Sequence, residues 1–266
     1  PRGIGKATLA FRFARFLLAN GKREDMERAL FLPDETSALT LAVAPEHGGM
    51  GFGAGEATEV MEELGRGLVN APYAAAALIA PSLVSDAGWL ARIADGSALV
   101  VLAHQEQGAR YRLDVCATTA TQQGSGWVID GRKQLVPAAD EADAYVVPAR
   151  ATADGPIGLF LALRTHAQVR AYPTQDGARA ADVSFTSSPA LLIGSDAAPR
   201  LERAIDIGIA AACAEGVGAM DRLVAITVEY MNTRKQFGAT LASFQALRHR
   251  IADVKMQLEL GRSMSY

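Results

Sequence analysis

The sequence contains no apolar run of the roughly 18 residues that a membrane-spanning helix needs. Cysteine is nearly absent: Cys116 and Cys213 are the two thiols of the chain. That count permits one disulfide, but the composition is that of a reduced cytosolic protein, and we expect both thiols to be buried. There is no excess of either charge sign. The formal net charge is −3 and the pI about 5.9, so neither a nucleic-acid surface nor an anionic-membrane surface is indicated. His47, His104, His166 and His249 show no metal-ligand spacing, and no metal site is expected. No internal repeat or low-complexity segment stands out. No basic-then-apolar leader opens the text, and we expect a soluble, cytoplasmic protein. Half of the 266 residues are hydrophobic, enough for one large domain or two to three small ones with a substantial core.

Periodicity divides the chain. Residues 1–41 read as an atypical N-terminal segment: a glycine turn, a short basic amphipathic helix from Lys6 to about Ala19, then polar text around Pro33 without a clear period. Ala44-Pro45-Glu46-His47-Gly48-Gly49-Met50-Gly51-Phe52-Gly53 is dense in glycine and proline and predicts a turn. A helix follows from about Glu56 to Arg66. Val60, Met61, Leu64 and Leu68 share its apolar face, and Glu59, Glu62 and Glu63 are expected to point away. Alanine-rich helical text runs from Pro72 to about Ala94, with breaks expected near Pro81 and Gly88. These parts form a partial helical domain over 42–96.

The period then changes to that of short strands. Leu99 to Leu102, Trp127 to Ile129, Lys133 to Val136, Tyr145 to Val147, Leu159 to Leu161 and Val183 to Phe185 are apolar runs separated by turn residues. Asp130-Gly131 reads as a hairpin turn between two of them. A β-barrel or sandwich over 97–196 is expected. From Arg200 to Asn232 the text is helical again, without proline, for roughly 50 Å at 1.5 Å per residue. A second helix runs from Leu241 onward. Phe244, Leu247, Ile251, Val254 and Leu258 step by three and four along one stripe of it. The pair should be antiparallel, joined over Gln236 to Thr240, with Gly238 permitting the turn. Helices, then strands, then long helices is α+β ordering.

Three passages in that order carry a resemblance. Tyr230-Met231-Asn232-Thr233-Arg234-Lys235-Gln236-Phe237-Gly238, with Phe244-Gln245 and His249-Arg250-Ile251-Ala252-Asp253 after it, resembles the signature of the acyl-CoA dehydrogenase family. Pro45 to Gly51 resembles that family's N-terminal turn. Thr118-Thr119-Ala120 and Gly126 to Lys133 resemble its middle β domain. Ala103 to Tyr111 and Tyr172 to Gly177 look most like the small subunits of pimeloyl-CoA and sterol side-chain dehydrogenases. The match runs from about Ala42 to Tyr266. Residues 1–17 separately resemble a truncated P-loop of a clamp-loader subunit. That segment lacks the leading glycine and strand, and Ala7 stands where a Ser or Thr would hold Mg²⁺. A P-loop ATPase module would rest on this segment alone.

The resemblance implies an acyl-CoA dehydrogenase-like fold with N-terminal helices, a middle β-barrel and, over 197–266, the first two helices of a C-terminal bundle. It implies FAD, an acyl-CoA substrate and an electron-transfer flavoprotein or similar acceptor, in lipid degradation. It implies a homo-oligomer, or a hetero-oligomer with a larger subunit. Arg234 would hold the pyrophosphate, because guanidinium meets phosphate oxygens in a bidentate way. Phe237 would pack on the cofactor edge and Gln245 would pair with its polar atoms, and all three residues would reach the FAD of a neighbouring subunit. Gln105 and Val136 occupy the positions facing the flavin ring. Leu135 and Pro137, beside Val136, stand where the family keeps an aromatic wall and a hydroxyl. The family's usual carboxylate base would lie beyond Tyr266. Its less common position, on the first long helix, corresponds to Gly208. No catalytic residue is therefore assigned. Glu215, among Ala212, Cys213, Ala214 and Gly216, is the best local candidate for a carboxyl with a raised pKa. One expectation is a truncated or heteromeric dehydrogenase subunit; the other is a non-catalytic partner that completes another chain's flavin site. With only two helices of the bundle, the stripe on the second should be left partly uncovered.

Overall fold

A computed structural model describes residues 42–266. The basic helix and P-loop-like text expected before Ala42 lie outside the described residues. The described residues form two compact units, one of 42–52 and Asn70–Gly208, the other of Gly53–Val69 and Ile209–Tyr266.

The first unit is built on strands. Pro45–His47 makes one helical turn, stopped at Gly48, whose φ of +86° suits glycine. A π-helical segment, Ala74–Ile79, runs into α2 (Ala80–Leu83), where α1 denotes Ala54–Gly67 of the other unit. After a break at 84–86, α3 (Ala87–Ala94) starts under a cap in which Asp86 accepts from the Trp89 N–H at 2.9 Å. Pro81 and Gly88 thus lie inside helices, and the break falls between them. Pro81 lies inside the continuous helical run from Ala74 to Leu83, just after the π-helical turns, and has no N–H to donate back into them.

The strands are β1 (Val100–Leu102), β2 (Thr119–Gln123), β3 (Gly126–Pro137), β4 (Ala144–Arg150), β5 (Ile157–Leu163), β6 (Ala167–Pro173) and β7 (Arg179–Gly194). Pairing runs β4–β2–β3–β7–β5 and returns to β4, so these five strands close a ring. β1 adds to β4 in parallel and β6 to β7 antiparallel. Alternation assigns each face. Val101, Tyr145, Val147 and Phe160 enter one core with Ile129, Val136, Val183 and Phe185. Their neighbours Val100, Leu102, Val146, Leu159 and Leu161 enter a second core with Leu83, Ile93 and Leu201. Strands β4 and β5 are therefore apolar at nearly every position.

Asp130-Gly131 is not the hairpin turn. β3 continues through it, and the chain reverses at Gly124-Ser125 instead. The register slips between Ile129 and Gly131, which makes the pair a bulge. Gly131 is required there because a Cβ would fall 2.5 Å from the Thr118 hydroxyl. The same residue pair serves both turns and bulges, and only the pairing partner separates them. Strand β6 was not expected, since Ala167 to Pro173 alternates too weakly to read as apolar.

The second unit is helical. It holds α1, most of α4 (Ala198–Thr233) and α5 (Gln245–Ser265). A short hairpin, β8 (Lys235–Gln236) with β9 (Ala239–Thr240), joins α4 to α5 where the turn was expected. Helices α1 and α4 meet main chain to main chain. A Cβ on Gly65 would overlap the Glu215 carbonyl, and one on Gly218 would overlap that of Glu62. Glu62 and Glu63 do not point away from α1: they are 6% and 5% exposed. Arg66 binds both, at 2.8 and 3.2 Å, and also Asp221 of α4. Arg262 of α5 reaches Glu62 at 3.1 Å, and Lys255 reaches Asp221 at 3.3 Å. Arg66 lies at helical spacing from both acids, but periodicity could not show that Arg262 and Asp221, from distant parts of the chain, would join them. Cys213 is exposed rather than buried. On α5, Leu258 is 2% exposed, Phe244 and Ile251 are half-buried, and Leu247 and Val254 are 36% and 48% exposed. The apolar stripe is thus partly open, as are Leu223 and Ile226 on α4.

The glycine contact leads to a test with an internal sign change. Gly65→Ala and Gly218→Ala should each lower stability by roughly 1–3 kcal/mol, because backbone must shift to admit the methyl group. Gly216→Ala, with nothing within 4 Å of its Cβ position, should raise it by about 0.5–1 kcal/mol. Thermal unfolding of the three variants reads the result, and equal shifts would refute the close approach.

Candidate functional site

Sequence-selected residues fall in both units, and each unit presents its own group. In the strand unit, Gln105 follows β1 and is half-buried; its carbonyl accepts from the Gln134 N–H of β3 at 2.8 Å. The next residue, Glu106, is 8% exposed and lies against Lys133, which is fully buried, at 2.6 Å. Glu106 also accepts from the Ala117 and Thr118 N–H groups and the Thr118 hydroxyl, at 2.6, 3.1 and 2.6 Å. Both ends of the loop from Gln107 to Cys116 are thereby tied to one carboxylate and one strand. Burial by itself pushes the Glu106 carboxyl up, but the Lys133 charge and these donors outweigh it and hold it at about 2. Burial, helped by the Lys133 charge, depresses His104 to about 4.

Two residues beyond Lys133 the register slips again, between Lys133 and Val136. Leu135 adopts φ +51°, and its side chain is 57% exposed. Its N–H donates to the Tyr172 hydroxyl at 3.1 Å, and that hydroxyl donates to Asp182 at 3.1 Å. A β-branched or leucine-type residue in the left-handed region carries about 1–2 kcal/mol of strain. Here the strain turns an apolar side chain outward. Val136 is 1% exposed and its side chain belongs to the barrel core, so only its main chain can face a ligand. Pro137 is exposed and has no N–H to give.

In the helical unit, Arg234 ends α4. Its N–H donates to the Tyr230 carbonyl at 2.8 Å, and its carbonyl accepts from the Leu241 N–H at 2.9 Å, which closes the β8–β9 hairpin. Its guanidinium is exposed and forms no ion pair among the described residues. Phe237 and Gly238 form the two-residue turn with φ of +53° and +81°, the signs that this tight hairpin loop demands. Phe237 is 93% exposed, with its ring edge-on to Phe244 at 6.3 Å. Gln245 is the first residue of α5 and is also exposed; its amide lies 3.5 Å from the His249 ring. A free guanidinium, an exposed ring and a primary amide thus occupy one hairpin and the helix start after it. This is a donor set for an anionic, partly aromatic ligand.

The other expectations meet the structure as follows. Glu215 is exposed on α4, not enclosed by its alanine neighbours. At Gly208, an added Cβ would stand 2.9 Å from the Ile79 Cδ1. The charge pair of Glu106 and Lys133 was missed. Its only signal is a lysine at an inward position of a strand whose other inward residues are Ile129 and Val136. Among the described residues no group of three or more His, Cys, Asp or Glu could hold a metal ion, and no helix is long and apolar enough to cross a membrane.

Removing Lys133 alone should leave a buried, unpaired carboxylate. We predict that Lys133→Met costs roughly 3–5 kcal/mol, and that Glu106→Gln added to it restores part of the loss. The pH dependence follows from two depressed pKa values. Glu106 contributes stability that is present above its ordinary 4.5 and lost as pH falls toward about 2. His104, buried neutral, costs stability as pH falls from its ordinary 6.5 through about 4. Urea unfolding between pH 7 and pH 3 should therefore show stability falling in both windows, with the lower one absent in the double variant.

Comparison with known proteins bears on these groups. Residues 200–266 match the family model described as acyl-CoA dehydrogenase, C-terminal domain. The acyl-CoA dehydrogenase IpdE2 of Mycobacterium tuberculosis is 27% identical over 254 residues, covering 94% of this chain and 67% of its own length. The acyl-CoA dehydrogenase FadE12 of the same organism is 28% identical, and 64% of it is covered. The chain thus spans about two thirds of the length of these curated relatives. Among solved structures, the Tcur3481-Tcur3483 steroid ACAD, solved as a variant, superposes with a TM-score of 0.80 at 25% identity. It covers 96% of this chain and 74% of that one. The FAD complex of PigA superposes with a TM-score of 0.84 at 22% identity, covering all of this chain and 76% of that one. The fold of the described residues is that of the acyl-CoA dehydrogenases, and the chain is similar to members of that family along most of its length.

Proposed function

We propose that this chain is an FAD-binding subunit of an acyl-CoA dehydrogenase that desaturates an acyl-CoA thioester between its α and β carbons. The observation that carries the reading is the hairpin after α4, where Arg234, Phe237 and Gln245 stand exposed together and the guanidinium has no ion pair among the described residues. The comparisons support it through curated acyl-CoA dehydrogenases and a solved FAD complex of the same fold. Arg234 would hold the pyrophosphate, with its planar donors matched to phosphate oxygens. Phe237 would cover an apolar edge of the cofactor, and Gln245 would exchange hydrogen bonds with its polar atoms. These three would reach the FAD of a neighbouring subunit, whereas the half-buried Gln105 of the strand unit would face the ring of this chain's own FAD, on the loop that Glu106 ties to β3. When bound, FAD supplies the hydride acceptor for the desaturation. An electron-transfer flavoprotein or similar acceptor would then reoxidise it.

A second reading has its own support. Leu135 and Pro137 offer the ring neither an aromatic wall nor a donor. Gly208 stands where some family members keep a carboxylate on this helix and supplies none, and the end of the Ile79 side chain occupies the space beside it. Both features suit a subunit that lends Arg234, Phe237 and Gln245 to the flavin of a neighbouring chain in a hetero-oligomer with a larger subunit. The proton-abstracting carboxylate would then belong to that chain.

The two readings share one test. Arg234→Ala should weaken FAD retention in the assembled protein by roughly 1.5–3 kcal/mol, about ten- to a hundredfold, by loss of a charge-assisted contact. Arg250→Ala, also on an exposed helical surface, should leave it unchanged. Flavin absorbance after gel filtration gives the comparison, and equal flavin content in the two variants would sink the role of Arg234. Dye reduction with acyl-CoA by the chain alone, against the chain with a larger partner, separates the first reading from the second.

A further inference from the structure

The second bulge of β3 is held by side chains and not by the ladder alone. Lys133 pairs with Val183 and Val136 with Ala181, so Gln134 and Leu135 together stand opposite Asp182. The Gln134 N–H donates to the Gln105 carbonyl at 2.8 Å, and the Leu135 N–H donates to the Tyr172 hydroxyl at 3.1 Å. Neither the backbone nor the side chain of Leu135 favours this place. Its φ of +51° is one that glycine takes without strain, and its side chain stays 57% exposed. The conformation is therefore kept against local preference, and such outliers point to function.

What keeps it is a relay of three side chains. Ala181 and Val183 enter the barrel core, so Asp182 between them faces outward. There it accepts from Arg132 of β3 at 2.7 Å and from the Tyr172 hydroxyl of β6 at 3.1 Å. Burial pushes the Asp182 carboxyl up, but Arg132 and the Tyr172 hydroxyl outweigh it and hold it below the usual carboxylate range. An ionised carboxylate cannot donate, so the phenol gives its one proton to Asp182. Its oxygen is left to accept, and it accepts from Leu135. The direction of each bond is thereby fixed. Glu106 and Lys133 secure β3 on one side of the bulge, and Tyr172 secures it on the other.

Resting on the first reading above, in which Gln105 faces the ring of this chain's own FAD, we propose that Tyr172 is a positioning residue for that ring. It acts on the cofactor only through Gln105. By holding the Leu135 N–H it fixes the bulge, and through the Gln134 N–H the bulge fixes the Gln105 main chain from which the side chain is aimed. A slip of the bulge by one residue would turn Val136 out of the core and carry Gln134 away from Gln105.

The test uses the full chain as Tyr172→Phe, as Leu135→Gly and with both substitutions. Each is assembled with FAD, and the visible absorbance band of the bound flavin and its dissociation constant are measured. Tyr172→Phe should shift the band and weaken FAD binding about three- to tenfold, the loss that one hydrogen bond brings. In the Leu135→Gly background the same substitution should change neither, because glycine holds a positive φ unaided. An unchanged band and affinity in Tyr172→Phe would overturn the proposal. So would an equal change in the glycine background, which would make the hydroxyl a ligand contact or a general prop of the fold. Gln105→Ala checks the reading beneath. A shifted band there with none in Tyr172→Phe removes only the role of Tyr172. No shift in Gln105→Ala, or no flavin on the unaltered chain in any assembly, removes the ring-facing role of Gln105 and the Tyr172 assignment with it.

Discussion

The buried contact between Glu106 and Lys133 organises one region of the strand unit. Two buried charges gain little net stability from each other, because desolvation consumes most of the attraction. What they gain is position. The carboxylate gathers Ala117, Thr118 and Lys133 around itself, and so fixes both ends of a ten-residue loop to β3. Gln105 is held by main chain to Gln134 one step away. The place of the loop, the aim of Gln105 and the course of β3 into its second bulge all follow from that one pair. An apolar substitute of the same volume would fill the space but would not specify which main-chain groups meet.

The helical unit is held by a different constraint, the absence of side chains. Gly65 and Gly218 let the backbones of α1 and α4 approach until any methyl group would collide. Once the helices are that close, Glu62 and Glu63 are forced inward and must be neutralised. Arg66 and Arg262 do so from two helices. The ion network is thus a consequence of the close packing, and it in turn fixes where α5 lies along α4.

Much of the architecture was legible. The change of period near Ser97 and again near Pro199 marks the strand region, since alternation and 3.6-residue spacing leave different marks in the text. The hairpin after α4 was legible as well, because Gly238 and the residues around it combine a turn signal with a specific pattern. The site was less so. Val136 reads as a ring-facing position, yet its side chain is in the core, because the bulge at Leu135 shifts which residue looks outward. Glu62 and Glu63 read as solvent-facing charges, because a helical wheel records only the helix's own period and not the helix that packs over them or the Arg262 that it does not contain.

Sequence by itself determined the kinds of element and their order, since each depends on neighbours within a few positions. Tertiary structure alone decided that Asp130-Gly131 is a bulge and not a turn, that Lys133 is buried with Glu106, and that the Tyr73 hydroxyl is left without a partner among the described residues. Each of these depends on what a distant segment brings to the same place, and nothing local encodes which segment that will be. A bulge is defined by its partner strand, a buried charge by its counter-charge, and an unpaired hydroxyl by the groups that do not reach it.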